Sequence, residues 1–218
     1  MKTTLRSLFF VLLAVGGMAL LAGYARGTDE TLPPEVKALI GINLPPVRVE
    51  GKDIKMDPRL KPLPSDYVRI QPASIPGWKY KGGWLLNKSP QSKQRMGVEE
   101  LYRGDLSIFV IDLIDENDKS KTILDAQVLP QNLLLYYVKN GEVVKRNKRG
   151  LYELNAMCER ADSEITVGLM RPEAGKEDCQ HKTTQVKRAW KIDPVTGRII
   201  VIPTNGVTCL VPAGDWCN

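Results

Sequence analysis

The chain has 218 residues, of which 43% are hydrophobic and 26% are charged, and its net charge at pH 7 is +6. This length is sufficient for one domain with a substantial core. So small a positive charge favours anionic envelope polymers or lipid head groups over nucleic acid as partners. The single histidine, His181, lies in a polar loop, which argues against catalytic sites that need a histidine base.

The N-terminal residues 1–25 have the three parts of a secretory signal peptide: a positively charged start, an uncharged apolar run over 7–21, and small residues at the end. We expect cleavage after Ala25, with Gly27 as the alternative. Tyr24 stands where a bacterial lipoprotein would carry its acylated cysteine, so we expect no lipid anchor. The mature protein is then periplasmic or otherwise secreted, although retention of the apolar run as an anchor is left open.

Residues 26–76 differ from the rest of the chain in their proline content. Nine of the 15 prolines fall here, and proline at this density favours an extended or polyproline II conformation, with a short helix predicted at 35–40. Apolar residues such as Leu39, Leu44 and Val47 recur within the stretch. They favour a strap that docks along the domain or onto a partner, whereas a flexible linker is the alternative.

Residues 77–218 show the alternation of apolar and polar side chains that predicts an antiparallel β domain. The segment 78–81 reads as a strand that leads through a Gly-Gly turn into 84–86. The segment 106–114 is apolar on both faces and predicts a central strand, followed by an acidic turn and a returning strand at 122–129. A weak helical pattern covers 91–102.

Three hairpins are predicted in the second half of the domain. Asn140-Gly141 between two apolar runs is the dipeptide of a type I′ turn. The other predicted hairpins and the last strand are 151–159 with 165–170, 186–192 with 198–202, and 207–211. The fold class predicted is all-β, mainly an antiparallel meander forming a sandwich or partly closed barrel, preceded by the proline-rich extended segment.

The four cysteines, Cys158, Cys179, Cys209 and Cys217, predict two disulfides in an exported chain. Three connectivities are possible. We favour Cys158–Cys179 and Cys209–Cys217, because each closes a short loop. A zinc site is disfavoured by the absence of a CxxC pair, and we expect no metal and no cofactor.

A basic run provides the first candidate binding site, comprising Lys145, Arg146, Lys148 and Arg149. With Lys139 across the hairpin, and with the cations of 187–191, it predicts a cationic face for an acidic protein, an anionic glycan or lipid head groups. The alternative is a solvated loop whose charges protect a strand edge from aggregation.

Two further groups have both a functional and a structural interpretation. Asp112, Asp115, Glu116 and Asp118 read as a solvated hairpin tip, with a calcium site as the alternative. The aromatic residues Trp78, Tyr80 and Trp84 read as core, with a sugar-stacking platform as the alternative.

The leading functional hypothesis is a non-enzymatic envelope protein, an accessory or assembly component that binds a protein partner. We expect no nucleic acid and no membrane-spanning segment after signal cleavage. The first alternative is an inhibitor or immunity-type protein that blocks an envelope hydrolase through the loop 209–217, with Asp215 and Trp216 as contact residues. The second is a glycan hydrolase with two carboxylates from different strands.

Overall fold

Fifteen β-strands make up most of the described part of the chain. The computed structural model describes residues 32–50, 68–86, 94–115, 117, 119–146, 150–172 and 181–211, all within one compact unit. The elements are α1 (Pro34–Lys37), β1 (Asn43–Leu44), β2 (Pro46–Glu50), β3 (Val68–Pro72), β4 (Lys79–Leu85), β5 (Gln94–Arg103), β6 (Leu106–Asp115), β7 (Lys121–Val128), a 3₁₀ helix (Gln131–Leu133), β8 (Tyr136–Lys139), β9 (Glu142–Lys145), β10 (Glu153–Arg160), β11 (Ser163–Met170), β12 (His181–Thr183), β13 (Val186–Ile192), β14 (Ile199–Ile202) and β15 (Thr208–Val211).

The strands form two large antiparallel sheets. Sheet 1 has the order β1-β7-β6-β5-β4, and sheet 2 has the order β12-β15-β10-β11-β13-β14. Two separate hairpin ladders, β2–β3 and β8–β9, accompany them. The predicted all-β class is confirmed, since β4 to β7 form a meander and the predicted hairpins of the second half pair as expected.

The main core, core 1, lies between the two sheets, which pack face to face as in a sandwich. Phe109 of sheet 1 meets Trp190 of sheet 2 edge to face, with ring centroids 5.1 Å apart. Such a pair contributes about 1 kcal/mol beyond its buried area. The other principal contributors are Met96, Val98, Ile111, Leu154, Val167, Leu169, Ile192 and Ile199.

A second core, core 2, lies on the outer face of sheet 1 and is covered by the N-terminal segment. Val36 of α1 is fully buried, and Leu39 and Leu44 are nearly so, against Ile108 and Val110 of β6. The central strand β6 is therefore covered on both faces, as its apolar residues at both odd and even positions predict. Leu39 and Leu44 of the proline-rich segment thus pack on the chain's own domain, whereas Val47 on β2 and Ile70 on β3 are exposed.

Two local predictions are wrong. Residues 94–103 form strand β5 instead of a helix. Val98 faces core 1 and Leu101 faces core 2, as the alternation of side chains along a strand requires, whereas residues three apart in a helix would share a face. The predicted Gly-Gly turn also does not exist, since Gly82 and Gly83 lie inside β4. Gly83 is needed there, because a Cβ on it would lie 2.7 Å from the Val98 carbonyl oxygen.

The favoured disulfide connectivity is wrong as well. Cys158 on β10 is bonded to Cys209 on β15, its direct partner across the antiparallel ladder. Strand pairing brings the two sulfurs together although 51 positions separate the residues in the chain, and short loop length is no guide to such a contact. Cys179 and Cys217 lie outside the described residues.

The predicted signal peptide also falls outside the described residues and stays a prediction. Among the described helices, none has the length and apolar content required to cross a membrane.

Candidate functional site

The β8–β9 hairpin carries the described part of the predicted basic site. Lys145 is the last residue of β9 and Arg146 follows it directly, while Lys148, Arg149, Asp215 and Trp216 lie outside the described residues. Asn140 and Gly141 form the turn with φ of 53° and 74°, which is the left-handed backbone that a type I′ turn requires. The structure thus confirms the hairpin and places Lys145 and Arg146 at the end of one arm, with Lys139 on the other arm beside the turn.

Both described cations of the basic run are stacked on aromatic rings of the opposite strand. The Lys145 ammonium lies 5.6 Å from the centre of the Tyr136 ring, and the Arg146 guanidinium carbon lies 4.1 Å from that of Tyr137. Tyr136 and Lys145 are cross-strand partners, so the ladder itself places the cation over the ring. Such contacts hold a charged group in one position and stabilise it by about 0.5–1 kcal/mol at exposed sites.

The hairpin is fixed to the rest of the domain at its tip and at its stem. At the tip, the Asn140 backbone N–H donates to the Asp105 carboxylate at 2.9 Å, and the Lys79 ammonium donates to the Gly141 carbonyl at 3.0 Å. At the stem, the Leu135 backbone N–H donates to the Tyr152 carbonyl at 2.9 Å. The cations therefore project from an anchored support.

An ionic cluster, here called the inner cluster, lies beside the base of this hairpin and consists of Lys81, Glu100 and Glu153. The Lys81 ammonium donates to the Glu100 carboxylate at 2.6 Å and also lies 5.7 Å from the Tyr136 ring. Burial raises the pKa of Glu100, and the neighbouring Lys81 opposes that rise. Burial likewise raises the pKa of Glu153; Lys81 and Lys145 lower it, and the Glu100 charge raises it further.

A second ionic cluster, the outer cluster, lies on the opposite face of sheet 1 and consists of Glu99, Asp112 and Lys121. Lys121 binds Glu99 at 2.7 Å and lies 3.9 Å from an oxygen of Asp112, which is fully buried. Burial raises the pKa of Asp112 to about 7, and the Glu99 charge contributes to the rise. Burial raises the pKa of Tyr80 too, with smaller contributions from Glu99 and Asp112.

The acidic residues are not grouped as predicted, whereas two of the three aromatic residues belong to the core as predicted. Asp112 belongs to β6 and not to a solvated turn, while Asp115 accepts a 2.7 Å hydrogen bond from the Asn117 backbone N–H. Glu116 and Asp118 lie outside the described residues. Trp78 is buried in core 2, Tyr80 is 60% exposed, and Trp84 packs against core 1, so these three side chains do not form a platform.

Sequence reasoning missed both ionic clusters, although one signal for them was available. Glu99 and Glu100 are consecutive between the apolar residues Val98 and Leu101 of a strand, so one of them must point to each face of the sheet. With both faces covered, each carboxylate needs a basic partner, and only the three-dimensional pairing shows that these are Lys121 and Lys81.

The cations of 187–191, which the sequence grouped with the basic run, lie on β13 in sheet 2. Strand β13 is paired with β11 and β14, whereas β8 and β9 form a separate two-stranded ladder. Within the described residues, no group of three or more His, Cys, Asp or Glu side chains has the arrangement to hold a metal ion.

Comparisons with protein-family models, with curated proteins and with solved structures find no match for this chain.

Proposed function

We propose that the chain is an exported, non-enzymatic binding protein that docks the β8–β9 hairpin onto an acidic surface of a protein partner in the cell envelope. The observation that carries the proposal is the stacking of Lys145 and Arg146 on Tyr136 and Tyr137. Long basic side chains normally lose rotamer entropy when they bind, and cations already held by aromatic rings lose less of it.

The charges around the hairpin support the same interpretation. Lys81 is neutralised by its ion pair with Glu100, whereas the Arg146 side chain has no carboxylate partner within the described residues and donates to the Asn132 carbonyl. The chain continues from Arg146 towards Lys148 and Arg149, which extends the positive charge along the sequence. An acidic partner would be attracted at long range by this surface, and its binding would weaken as salt screens the charges.

The experiment is crosslinking in the intact envelope of the native host with a tagged full-length chain. The test variant is Lys145→Gln with Arg146→Gln, and the matched control is Lys187→Gln with Arg188→Gln, which removes the same charge from β13. We expect the test variant to lose the crosslinked protein and the control to retain it. The control should keep the stability of the wild type, and the test variant should stay folded while losing about 1–2 kcal/mol with its two cation–π contacts.

Equal loss from both variants would contradict the proposal, because it would show a non-specific effect of net charge. Crosslinking that survives in the test variant would also contradict it. Recovery of glycan or lipid in place of protein would assign the hairpin to the other anionic partner classes that the sequence left open.

A second candidate function is carboxylate-dependent hydrolysis of a glycan, and the inner cluster is the observation that favours it. Glu100 on β5 and Glu153 on β10 come from different sheets, and burial raises the pKa of both carboxyl groups. A raised pKa is what a general acid needs at neutral pH. Release of reducing ends from envelope polysaccharide by the wild type, abolished by Glu153→Gln, would support this function; no release by the wild type would remove it.

The inhibitor alternative loses its structural basis in part. Cys209 is bonded to Cys158, so no disulfide closes the segment 209–217 into a loop. The two contact residues proposed there, Asp215 and Trp216, lie outside the described residues.

A further inference from the structure

Strand β4 has a free edge in the described part of the chain. It is the last strand of sheet 1, and among the described strands it pairs with β5 alone. Its seven residues make it the longest of the strands that end the two large sheets, since β1, β12 and β14 have two, three and four residues. A long edge strand presents backbone donors and acceptors to which a further strand can bind.

The register with β5 shows which backbone groups lie at this edge. The Leu86 N–H donates to the Met96 carbonyl at 2.9 Å, so Leu86 directs its hydrogen-bonding groups towards β5. This direction alternates along an antiparallel strand, so the N–H and C=O groups of Gly83 and Leu85 point away from β5. No described residue forms a backbone hydrogen bond with them. An added strand would therefore find a donor and an acceptor at each of these two residues.

The side chains at this edge are apolar on the outer face of sheet 1. Gly83 pairs with Glu99 of the outer cluster, which places Gly83 and Leu85 on that face. Leu85 is 62% exposed and Tyr80 is 60% exposed, and a Cβ on Gly83 would lie 3.1 Å from the Tyr80 hydroxyl. Tyr80, Gly83 and Leu85 thus form one exposed strip, against which the apolar side chains of an added strand can pack.

Gly82, inside the same strand, has no role in the described packing that requires glycine. Nothing lies within 4 Å of a Cβ at this position, and its φ is not positive. Glycine weakens the interior of a strand, and it often marks a place that another backbone approaches closely. The glycine therefore fits an edge to which a second chain binds.

The free edge of sheet 2 differs from that of β4. Strand β14 also carries exposed apolar side chains, Ile200 and Val201, but the Ile199 N–H donates to the Asp125 carboxylate at 2.7 Å. Pro203, directly after β14, has no N–H to donate. Features of this kind limit the pairing of an edge strand, and neither occurs at Gly83 and Leu85.

The cations of the β8–β9 hairpin lie beside β4 on the opposite face of the sheet. Lys79 of β4 donates to the Gly141 carbonyl at the hairpin tip. The ammonium groups of Lys81 on β4 and of Lys145 on β9 lie 5.7 and 5.6 Å from the centre of the same ring, that of Tyr136. A strand added to β4 would have one face on the side of Tyr80 and Leu85 and the other on the side of these cations. Charge complementarity requires acidic side chains on the second face.

We propose that the acidic partner presents an extended segment that adds to β4 as a further strand of sheet 1. Its backbone bonds to Gly83 and Leu85, its apolar side chains pack on Tyr80 and Leu85, and its acidic side chains face the hairpin cations. This inference rests on the proposed function, to which it adds the conformation of the bound segment and the alternation of its side chains.

The test is amide hydrogen exchange on the full chain with a defined probe, a short capped peptide in which valine and glutamate alternate. We expect the amides of Gly83 and Leu85 to exchange at least about ten times more slowly in the presence of this peptide, because they then donate to it, with β12 and β15 unchanged. The matched control is the same peptide with lysine in place of glutamate, which should give no protection.

Leu85→Pro and Leu85→Ala separate backbone pairing from side-chain contact. Proline is tolerated on an edge strand where the N–H points outwards, so Leu85→Pro should stay folded while it removes a donor and obstructs the added strand. Leu85→Ala loses the same side chain and keeps the N–H. We expect the peptide to protect the Gly83 amide in Leu85→Ala and not in Leu85→Pro.

The proposal would be overturned by an absence of protection in the wild type, by equal protection from the lysine peptide, or by equal protection in the two Leu85 variants. Crosslinking in the native envelope distinguishes it from the proposed function. If Leu85→Pro keeps the crosslinked protein that Lys145→Gln with Arg146→Gln loses, the role of the hairpin stands and the added strand is wrong. The reverse pattern would support the added strand and contradict the role of the hairpin.

Discussion

The ammonium of Lys121 on β7 lies 2.7 Å from the carboxylate of Glu99 on β5, although β6 runs between the two strands. The lysine side chain therefore crosses the outer face of the sheet, and Asp112 of β6 is fully buried in the same cluster. The carboxylates of Glu99 and Asp112 thus share the Lys121 ammonium at a site from which water is largely excluded. Because only one negative charge is balanced there, the cluster favours a proton on Asp112.

The first prediction is that Asp112→Asn stabilises the protein at pH 8 by about 4 kcal/mol and has little effect at pH 3. The folded-state pKa of Asp112 is raised from 3.8 to about 7, so the native state binds a proton more tightly than the unfolded state. This group's contribution to stability therefore falls as the pH rises from about 4 to about 7 and then levels off. The measurement is urea unfolding across this pH range.

Asp115→Asn is the control for this prediction, because Asp115 is the last residue of the same strand and accepts a local backbone hydrogen bond. Its pH profile should follow that of the wild type. If Asp112→Asn were less stable than the wild type at pH 8, the interpretation of the outer cluster would be wrong, since Asp112 would then be stabilising as the charged form.

The second prediction concerns Gly97, which lies beside Asp112 on the neighbouring strand. A Cβ at this position would lie 2.4 Å from Asp112 Oδ1, so Gly97→Ala should destabilise the protein by about 1–3 kcal/mol. Gly82→Ala is the matched control, because nothing lies within 4 Å of a Cβ there. The free energy of unfolding of both variants measures the difference.

A double mutant separates steric conflict from a general effect of alanine in β5. In the background of Asp112→Ala, which removes the clashing oxygen, the further destabilisation caused by Gly97→Ala should shrink. Equal destabilisation in both backgrounds would show that the close approach of Asp112 is not the reason that glycine occupies this position.

The third prediction is that the N-terminal segment is required for folding. Removal of residues 28–66 would uncover Ile108 and Val110 on the outer face of sheet 1, so we expect an aggregating or unfolded product. A milder variant, Val36→Ala, should lower the free energy of unfolding by about 2 kcal/mol, whereas Glu35→Ala on the exposed side of α1 should have little effect. Chemical unfolding of the two point variants is the measurement.

A folded, monomeric product after the deletion would show that core 2 is dispensable. It would also return the segment to the role of a strap that is free to dock onto a partner, which is the alternative that the sequence alone left open.

The fourth prediction is the full disulfide pattern. With Cys158 bonded to Cys209, the expected pair of disulfides leaves Cys179 to bond Cys217. Strands β12 and β15 are antiparallel neighbours, and His181 at the start of β12 pairs with Val211 at the end of β15. Cys179 comes shortly before His181 in the sequence, and Cys217 comes shortly after Val211. Both cysteines are therefore connected to the same end of this ladder. Peptide mapping without reduction should find the two crosslinked pairs. Removal of the Cys158–Cys209 bond, which spans 51 positions, should lower the free energy of unfolding by about 4 kcal/mol, because the unfolded chain gains entropy.

Much of the strand pattern was predictable because it depends on local chemistry. Alternation of side chains shows which residues share a face, and Asn140-Gly141 specifies its turn through the positive φ that both residues adopt. Strand β5 was misread as a helix because both of its faces are buried and its two glutamates break the apolar alternation. The carboxylates there are tolerated only because Lys81 and Lys121 reach them from other strands.

The sequence by itself determined the fold class, the main hairpins and the presence of a basic arm, since each depends on residues that are close together in the chain. The tertiary structure decided which distant residues meet: Cys158 with Cys209, Lys121 with Glu99, and the N-terminal Val36 with the outer face of sheet 1. The physical reason is that pairing between strands and between layers depends on the total burial of apolar surface and on the compensation of buried charge. These are properties of the whole packed arrangement, and no local pattern in the chain encodes them.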